Sequence, residues 1–199
     1  MTSIVLAGGK SLRLGRDKAS IVIGGERLIQ RVINLVAHLS DEIIVVTSEQ
    51  QKGLALFSDL SAKVVVDIYP GKGSLGGIYT GLRASSFSHS LVVACDMPFL
   101  NLALLRYLVS LAVKFDIVIP RLRGLVEPLH AVYSKNCLAP AEKLLQRSQL
   151  KIIDIFDKVK VRYVEKEEID RFDPEHLSFF NINTQDDLNK AREMVSQRK

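Results

Sequence analysis

Short apolar runs alternate along the chain with longer segments in which apolar residues recur every three or four positions. The short runs are rich in valine and isoleucine, which is typical of buried β-strands, and they cover residues 3–6, 42–47, 63–67, 91–95 and 116–120. Strands that are apolar on both faces and separated by helices favour a parallel sheet with helices on both sides. The pattern therefore predicts an α/β fold that is Rossmann-like and three-layered, with a mostly parallel central sheet.

Helical spacing is clearest after Gly24 and Gly25, where apolar residues from Leu28 to Leu39 fall on one face. Further helices are predicted at about residues 75–85, 103–113, 136–146, 151–156 and 185–195, and residues 126–133 are predicted to be extended. Thr184 and Asp187 resemble a capping box at the start of the last helix. Residues 159–178 have the weakest pattern. No repeat or linker interrupts the chain, so we expect a single domain over residues 1–199.

The predicted strands end in residues that a purely structural sheet would not need. Gly8 and Gly9 follow the first strand, Asp67 ends the third, and Asp96 directly follows the fourth. In open α/β sheets, ligands bind at the carboxyl ends of the strands. These glycines and carboxylates therefore predict a ligand site at that edge of the sheet.

The segment from residue 6 to residue 18 combines glycines with positive charge. Its glycines let backbone N–H groups approach a phosphate without a Cβ in the way, and its bases are Lys10, Arg13, Arg16 and Lys18. An arginine can donate to phosphate oxygens with a fork of N–H groups, and a lysine supplies a compact charge. The loop is not a complete Walker A motif, because Ile4 stands where its first glycine would be. From composition alone, a solvent-exposed glycine turn with surface bases is the alternative.

The same loop resembles the signature of nucleotidyltransferases that activate sugar phosphates, methylerythritol phosphate and molybdopterin. Three further segments resemble the molybdenum cofactor guanylyltransferases within that group: DIYPGKGSLGG at 67–77, VVACDMPF at 92–99 and FFNINT at 179–184. The EPLHA segment at 127–131 also fits. The resemblance runs from about residue 3 to residue 190. Ser74 departs from the family pattern, which often has proline there, and Thr47-Ser48 replace an asparagine found in some members.

The resemblance implies a magnesium-dependent enzyme that joins the GMP part of GTP to the phosphate of Mo-molybdopterin and releases pyrophosphate. It implies catalytic roles for Arg13, Lys18 and Asp96, with Asp96 as the Mg²⁺ ligand. It implies nucleotide binding by Leu6, Ala7, Gly8, Gly9, Lys18, Asp67, Gly76 and Asp96. The residues that it suggests for the pterin substrate are His130, Asn181 and Asn183.

Two other readings of the residues and motifs stay open. A related nucleotidyltransferase could use CTP or another phosphate acceptor, because small changes in a base-reading loop would suffice. A non-catalytic nucleotide-binding carrier of the cofactor would bind GTP without turnover, although it would not need Arg13, Lys18 and Asp96 together. Asp67 and Asp96 also have structural interpretations, as a residue that initiates a turn and as a helix cap.

Composition and charge add expectations about partners and location. The net charge is +5, but basic residues are scattered among acids, so we expect a phosphate-rich small substrate and no nucleic acid. The resemblance implies that the substrates are GTP and molybdopterin. Molybdoenzymes or other cofactor-assembly proteins are further candidate partners. No apolar run approaches the ~20 residues of a spanning helix, and the N-terminus does not resemble a signal peptide. Two separate cysteines, Cys95 and Cys137, favour a reduced, cytoplasmic setting.

Overall fold

The computed structural model describes residues 1–8 and 18–197, with the side chain of Ala55 left out. Within these residues the strands are β1 Thr2–Leu6, β2 Val22–Ile23, β3 Glu26–Arg27, β4 Glu42–Thr47, β5 Lys63–Val66, β6 His89–Ala94, β7 Ile117–Leu122, β8 Leu125–Val126, β9 His130–Ser134 and β10 Val161–Val164. The α-helices are α1 Leu28–Val36, α2 Glu49–Lys52, α3 Gly73–Ala84, α4 Leu102–Leu111, α5 Leu138–Gln146, α6 Lys166–Ile169 and α7 Gln185–Ser196.

The central sheet has the strand order β10-β7-β9-β6-β1-β4-β5, with β8 paired to the edge of β7. β1 lies between β4 and β6 and is parallel to both. β5 and β10 also pair in parallel with their neighbours, whereas β9 runs antiparallel to both β6 and β7. The prediction of a mostly parallel sheet is confirmed.

Apolar side chains project from both faces of the sheet and pack against helices, which gives three layers: helices, sheet and helices. Along β1, Ile4 and Val5 point to opposite faces and are both fully buried, as expected for a strand covered on both sides. The face that includes Val5 packs against α1 and α4, and the face that includes Ile4 packs against α3 and α5. Gly81 allows α3 to lie directly on the sheet, because a methyl group there would lie 2.5 Å from Cγ2 of Ile4.

A third apolar cluster joins the start of the chain to its end. The β2–β3 hairpin and α1 contribute one side of this cluster, and the tail and α7 contribute the other, through Ile21, Ile23, Leu28, Ile182, Leu188 and Ala191. Gly24 turns this hairpin at a φ of +60°, and a methyl group on it would lie 2.5 Å from Cγ1 of Val195. The C-terminal helix therefore packs closely against the hairpin that follows Lys18.

Several local predictions are confirmed and others need correction. The Thr184 hydroxyl accepts a hydrogen bond from the Asp187 amide, and Asp187 accepts one from the Thr184 amide, so the capping box is present. The helix predicted at 151–156 is present as a 3₁₀-helix over residues 152–158. The extended segment predicted at 126–133 is divided between the end of β8 at Val126 and β9, which begins at His130, and the weakly patterned region contains β10 and α6. None of the helices in the described part of the chain is both long and apolar enough to cross a membrane.

Candidate active site

The carboxyl ends of β1, β4 and β6 meet where the chain changes direction across the sheet. Within the central sheet, β4 and β5 lie on one side of β1 and the next strand in the chain, β6, lies on the other side. The strand order therefore reverses at β1. The Cys95 amide donates to the Leu6 carbonyl at 3.1 Å, and the Ala7 amide donates to the Val46 carbonyl at 2.9 Å. Such a switch point opens a crevice in which α/β proteins bind ligands. Leu6 therefore lies beside the segment that carries Asp96, whereas Ala7 and Gly8 lie against the end of β4, at the same edge of the sheet.

Lys18, Asp96 and Asn183 form a polar cluster at this crevice. Nζ of Lys18 lies 2.6 Å from Oδ2 of Asp96 and 2.6 Å from Oδ1 of Asn183. The side chains of Lys18 and Asp96 are 17% and 15% exposed, so their ion pair is partly shielded from water. We call these three residues the Lys18 cluster. It brings together residues from the start, middle and end of the chain.

Backbone hydrogen bonds position Asp96 and Asn183, the two residues whose side-chain oxygens accept from Lys18. The Ile182 amide donates to the Asp96 carbonyl at 3.0 Å, which attaches the tail to the end of β6. The Asn183 amide donates to Asp187 at 3.1 Å, next to the capping box of α7. Asp96 does not cap a helix: the cap of α4 is Asn101, whose side chain accepts from the amides of residues 103 and 104. The capping interpretation of Asp96 is therefore wrong.

Asp67 and Gly76 lie together at the same edge of the sheet, where β5, the neighbour of β4, ends. Oδ1 of Asp67 accepts hydrogen bonds from the Tyr69 amide at 3.0 Å and from the Thr80 hydroxyl at 2.9 Å. A methyl group on Gly76 would lie 2.9 Å from the Tyr69 carbonyl oxygen and 3.3 Å from Oδ2 of Asp67. Asp67 thus initiates a turn, as its structural interpretation predicts, and this turn holds the start of α3 against the strand ends.

His130 lies below the surface of the site. Its side chain is fully buried at the start of β9, beside Val93, and its ring packs on Phe179 with centroids 4.7 Å apart. Neither ring nitrogen has a hydrogen-bond partner among the described residues. Burial lowers the pKa of His130 to about 3, so the ring is neutral at physiological pH. Because the ring is fully buried, contact between His130 and a substrate would require neighbouring side chains to move.

The two tail asparagines have different surroundings. Asn183 is exposed and belongs to the Lys18 cluster, whereas Nδ2 of half-buried Asn181 donates to the Phe179 carbonyl at 3.1 Å. The alternation of polar and apolar residues indicates that both asparagines face away from the core, but it does not show which partners they meet. The sequence interpretation missed the contact of Asn183 with Lys18 for this reason.

Glu127 is a candidate that the sequence interpretation did not single out. Burial raises the pKa of this half-buried carboxyl group. Its carbonyl accepts from the His130 amide at 3.1 Å, which places it beside the same edge of the sheet. A carboxyl group with a perturbed pKa near a cleft is a typical signal of a functional site, but the sequence gives no measure of its burial.

Gly9, predicted to bind the nucleotide, and Arg13, predicted to bind the triphosphate in a catalytic role, lie outside the described residues.

Oxygen donors that suit a divalent cation are present in the Lys18 cluster. Asp96 and Asn183 already bind one cation, the Lys18 ammonium, through one oxygen each. The described residues contain no group of three or more His, Cys, Asp or Glu side chains that could hold a metal. Mg²⁺ usually takes one or two carboxylates and completes its shell with phosphates and water. The residues therefore fit a metal ion that is shared with a bound nucleotide.

Comparison with solved structures defines the class of the protein. A molybdopterin-guanine dinucleotide biosynthesis protein A from Archaeoglobus fulgidus superposes with a TM-score of 0.87 at 32% identity, over 99% of this chain and 100% of that one. A 2-C-methyl-D-erythritol 4-phosphate cytidylyltransferase from Thermus thermophilus shares the fold, with a TM-score of 0.71 at 18% identity over 98% of each chain. Fold and similarity place the protein among the nucleotidyltransferases.

Sequence comparison gives the family. The sequence model of the MobA-like NTP transferase domain matches residues 3–161. A probable molybdenum cofactor guanylyltransferase from Pelotomaculum thermopropionicum is 38% identical, over 98% of this chain and 93% of the relative. The molybdenum cofactor guanylyltransferase of Desulfosudis oleivorans is 32% identical, over 98% and 96%. The chain belongs to the family of MobA-like NTP transferase domains.

Proposed function

We propose that this protein transfers GMP from GTP to the phosphate of Mo-molybdopterin, which yields the molybdopterin guanine dinucleotide and pyrophosphate. The observation that carries the proposal is the Lys18 cluster, at the switch point of a chain that is 38% identical to a probable molybdenum cofactor guanylyltransferase over 98% of its length. A pure binding protein would not need a shielded carboxylate, a lysine and an amide oxygen at one point.

The chemistry that we propose depends on position and charge. The acceptor phosphate is already an anion, so no strong base is required to make it attack the α-phosphorus of GTP. The difficulty is to hold two polyanions together while charge develops on the phosphate oxygens, and preorganised donors and cations lower that barrier. A Mg²⁺ ion held by Asp96 and Asn183 would neutralise phosphate charge when it is bound. Lys18 would bind the polyphosphate beside it, and we propose that Arg13 does so as well.

For GTP itself, we propose a binding surface along the ends of β1, β5 and α3. Backbone groups of Leu6, Ala7, Gly8 and Gly9 would contact the nucleotide. Asp67 and Gly76 would line the adjoining part, because the turn at Asp67 holds the start of α3 close to the strand ends. Backbone groups can distinguish guanine from adenine or cytosine, so base choice need not depend on a side chain.

For the molybdopterin, we propose a site on the other side of Asp96, next to the tail. Asn181 is the candidate donor there, and Asn183 would act on the phosphates through the Lys18 cluster. We propose that His130 contributes to this site indirectly, by supporting Phe179, since it is fully buried and packed on that ring.

We further propose that the enzyme works in the cytoplasm and delivers its product to molybdoenzymes or other cofactor-assembly proteins.

The decisive experiment supplies GTP, Mg²⁺ and Mo-molybdopterin and detects the dinucleotide by mass spectrometry and pyrophosphate by a coupled assay. The Asp96→Asn variant is expected to lose at least about 100-fold in rate, because loss of one preorganised charged contact commonly costs that much. Asp59→Asn is the matched control, because it makes the same change at an exposed position near Lys63, where β5 begins at the end away from the site.

Two results would count against the proposal. If CTP is consumed and GTP is not, the protein is a cytidylyltransferase of the same fold. If GTP binds but neither pyrophosphate nor dinucleotide forms with any acceptor, the protein is a nucleotide-binding carrier of the cofactor. Full activity of Asp96→Asn would contradict the proposed role of Asp96 but not the proposed reaction.

A further inference from the structure

Lys18 uses the same oxygen atoms that would bind a metal ion. Its ammonium is 2.6 Å from Oδ2 of Asp96 and 2.6 Å from Oδ1 of Asn183, so it bridges these two side chains. An ammonium group has three donors and no acceptor, and hydrogen bonds to a carboxylate are among the stronger ones in proteins. The Lys18 ammonium therefore donates to both oxygens at once.

An ammonium and a divalent cation would compete for these two oxygens. Mg²⁺ binds its oxygen ligands at about 2.0–2.1 Å, so an ion on Oδ2 of Asp96 would lie close beside Nζ of Lys18, which is 2.6 Å from the same oxygen. The two like charges would also repel each other strongly in a site where the side chains of Lys18 and Asp96 are 17% and 15% exposed. Metal binding at these oxygens is therefore disfavoured until Lys18 moves to another anion.

A polyphosphate provides that anion. It adds several negative oxygens beside Asp96, to which the flexible four-carbon side chain of Lys18 can turn while the metal takes Asp96 and Asn183. We infer that Lys18 is a placeholder cation: it neutralises Asp96 in the free protein and couples metal binding to nucleotide binding, because it leaves Asp96 only for the phosphates. This inference rests on the proposed function, and it adds an order of assembly to it.

Direct metal binding tests the inference without any turnover. Mn²⁺ is titrated into the full chain with and without GTP, in the absence of acceptor, and bound Mn²⁺ is measured by electron paramagnetic resonance. The same titration of GTP alone is subtracted, because the triphosphate itself binds Mn²⁺. For the unaltered chain we expect Mn²⁺ to bind at least about tenfold more tightly with GTP than without it, and by reciprocity GTP to gain the same factor from Mn²⁺.

Removal of the lysine charge should uncouple the two ligands. In Lys18→Met, we expect nucleotide-free Mn²⁺ binding to become at least about tenfold tighter, because a competing cation has been removed from Asp96. We expect the effect of GTP on Mn²⁺ binding to shrink at the same time. Lys18→Gln gives a second test if the methionine variant does not fold, and Lys63→Met controls for the change in net charge.

The outcomes separate this inference from the proposed function. Equal nucleotide-free Mn²⁺ affinity in the unaltered chain and in both Lys18 variants would overturn the placeholder role, even if Asp96→Asn abolishes binding of Mn²⁺ with GTP. Unchanged binding of Mn²⁺ with GTP in Asp96→Asn would instead overturn the metal site on which the proposed function depends.

Discussion

At the scale of single residues, His130 combines full burial with two ring nitrogens that lack partners among the described residues. Burial lowers its pKa from 6.5 to about 3. Between these two values the unfolded chain takes up a proton that the folded chain does not, so this residue makes the fold less stable as pH falls below about 6.5. Above that pH it contributes no pH dependence.

Replacement of His130 by leucine should therefore remove part of the acid sensitivity of the fold. We expect His130→Leu to be as stable as the unaltered chain or more stable at pH 7.5, because an unpaired buried polar group is lost. The difference should grow in favour of the variant by about 2 kcal/mol between pH 7.5 and pH 5. Urea unfolding at the two pH values measures this, with His38→Leu at an exposed position as the control. A parallel pH dependence in both chains would contradict the burial argument.

The sequence predicted the location of individual residues better than their contacts. The location of Asp96 and Lys18 could be predicted, because a carboxylate that ends a buried strand and a lysine that ends a glycine-rich loop both belong at the ligand edge of the sheet. The place of Asn183 could not, since it depends on how the tail folds back over 165 positions to meet Lys18. Burial, which sets the state of His130 and Glu127, likewise depends on contacts distant in sequence.

At the scale of secondary structure elements, the β2–β3 hairpin depends on its contact with α7. Gly24 and Gly25 both have positive φ, but a methyl group on Gly24 would lie 2.5 Å from Cγ1 of Val195, whereas nothing lies within 4 Å of one on Gly25. We expect Gly25→Ala to cost about 1–2 kcal/mol through backbone strain alone. Gly24→Ala should cost about 1–3 kcal/mol more, because α7 must shift. Urea unfolding of both variants measures the difference, and equal losses would mean that α7 is not packed against this turn.

Elements were predictable where their pattern is long and apolar. The β4 strand matches its predicted bounds of 42–47, and the helices α1 and α7 begin where the pattern and the capping box indicate. The direction of β9 was not predictable, because alternation of side chains is the same in parallel and antiparallel strands. The two-residue strands of the hairpins are too short to show a period.

At the scale of the whole molecule, the site is complete only when the two ends of the chain meet. The family match ends at residue 161, yet Asn183 lies in the tail, and the relatives align with 98% of the chain. Ile182 is fully buried between the two asparagines, and its amide donates to the Asp96 carbonyl. The third apolar cluster therefore holds the tail and the β2–β3 hairpin together, and with them the two ends of the Lys18 cluster.

Ile182→Ala should therefore weaken both the fold and the site, whereas the same truncation elsewhere should weaken the fold alone. Ile169 in α6 is the matched control, because it is also fully buried but packs in the cluster on the α1 and α4 side of the sheet. We expect each alanine to cost about 2–5 kcal/mol in urea unfolding. At a temperature where both variants are folded, we expect Mn²⁺ and GTP binding to fall several-fold in Ile182→Ala and to stay unchanged in Ile169→Ala. Equal binding by the two variants would show that the tail stabilises the molecule without positioning Asn183, and the Lys18 cluster would then form without the third apolar cluster.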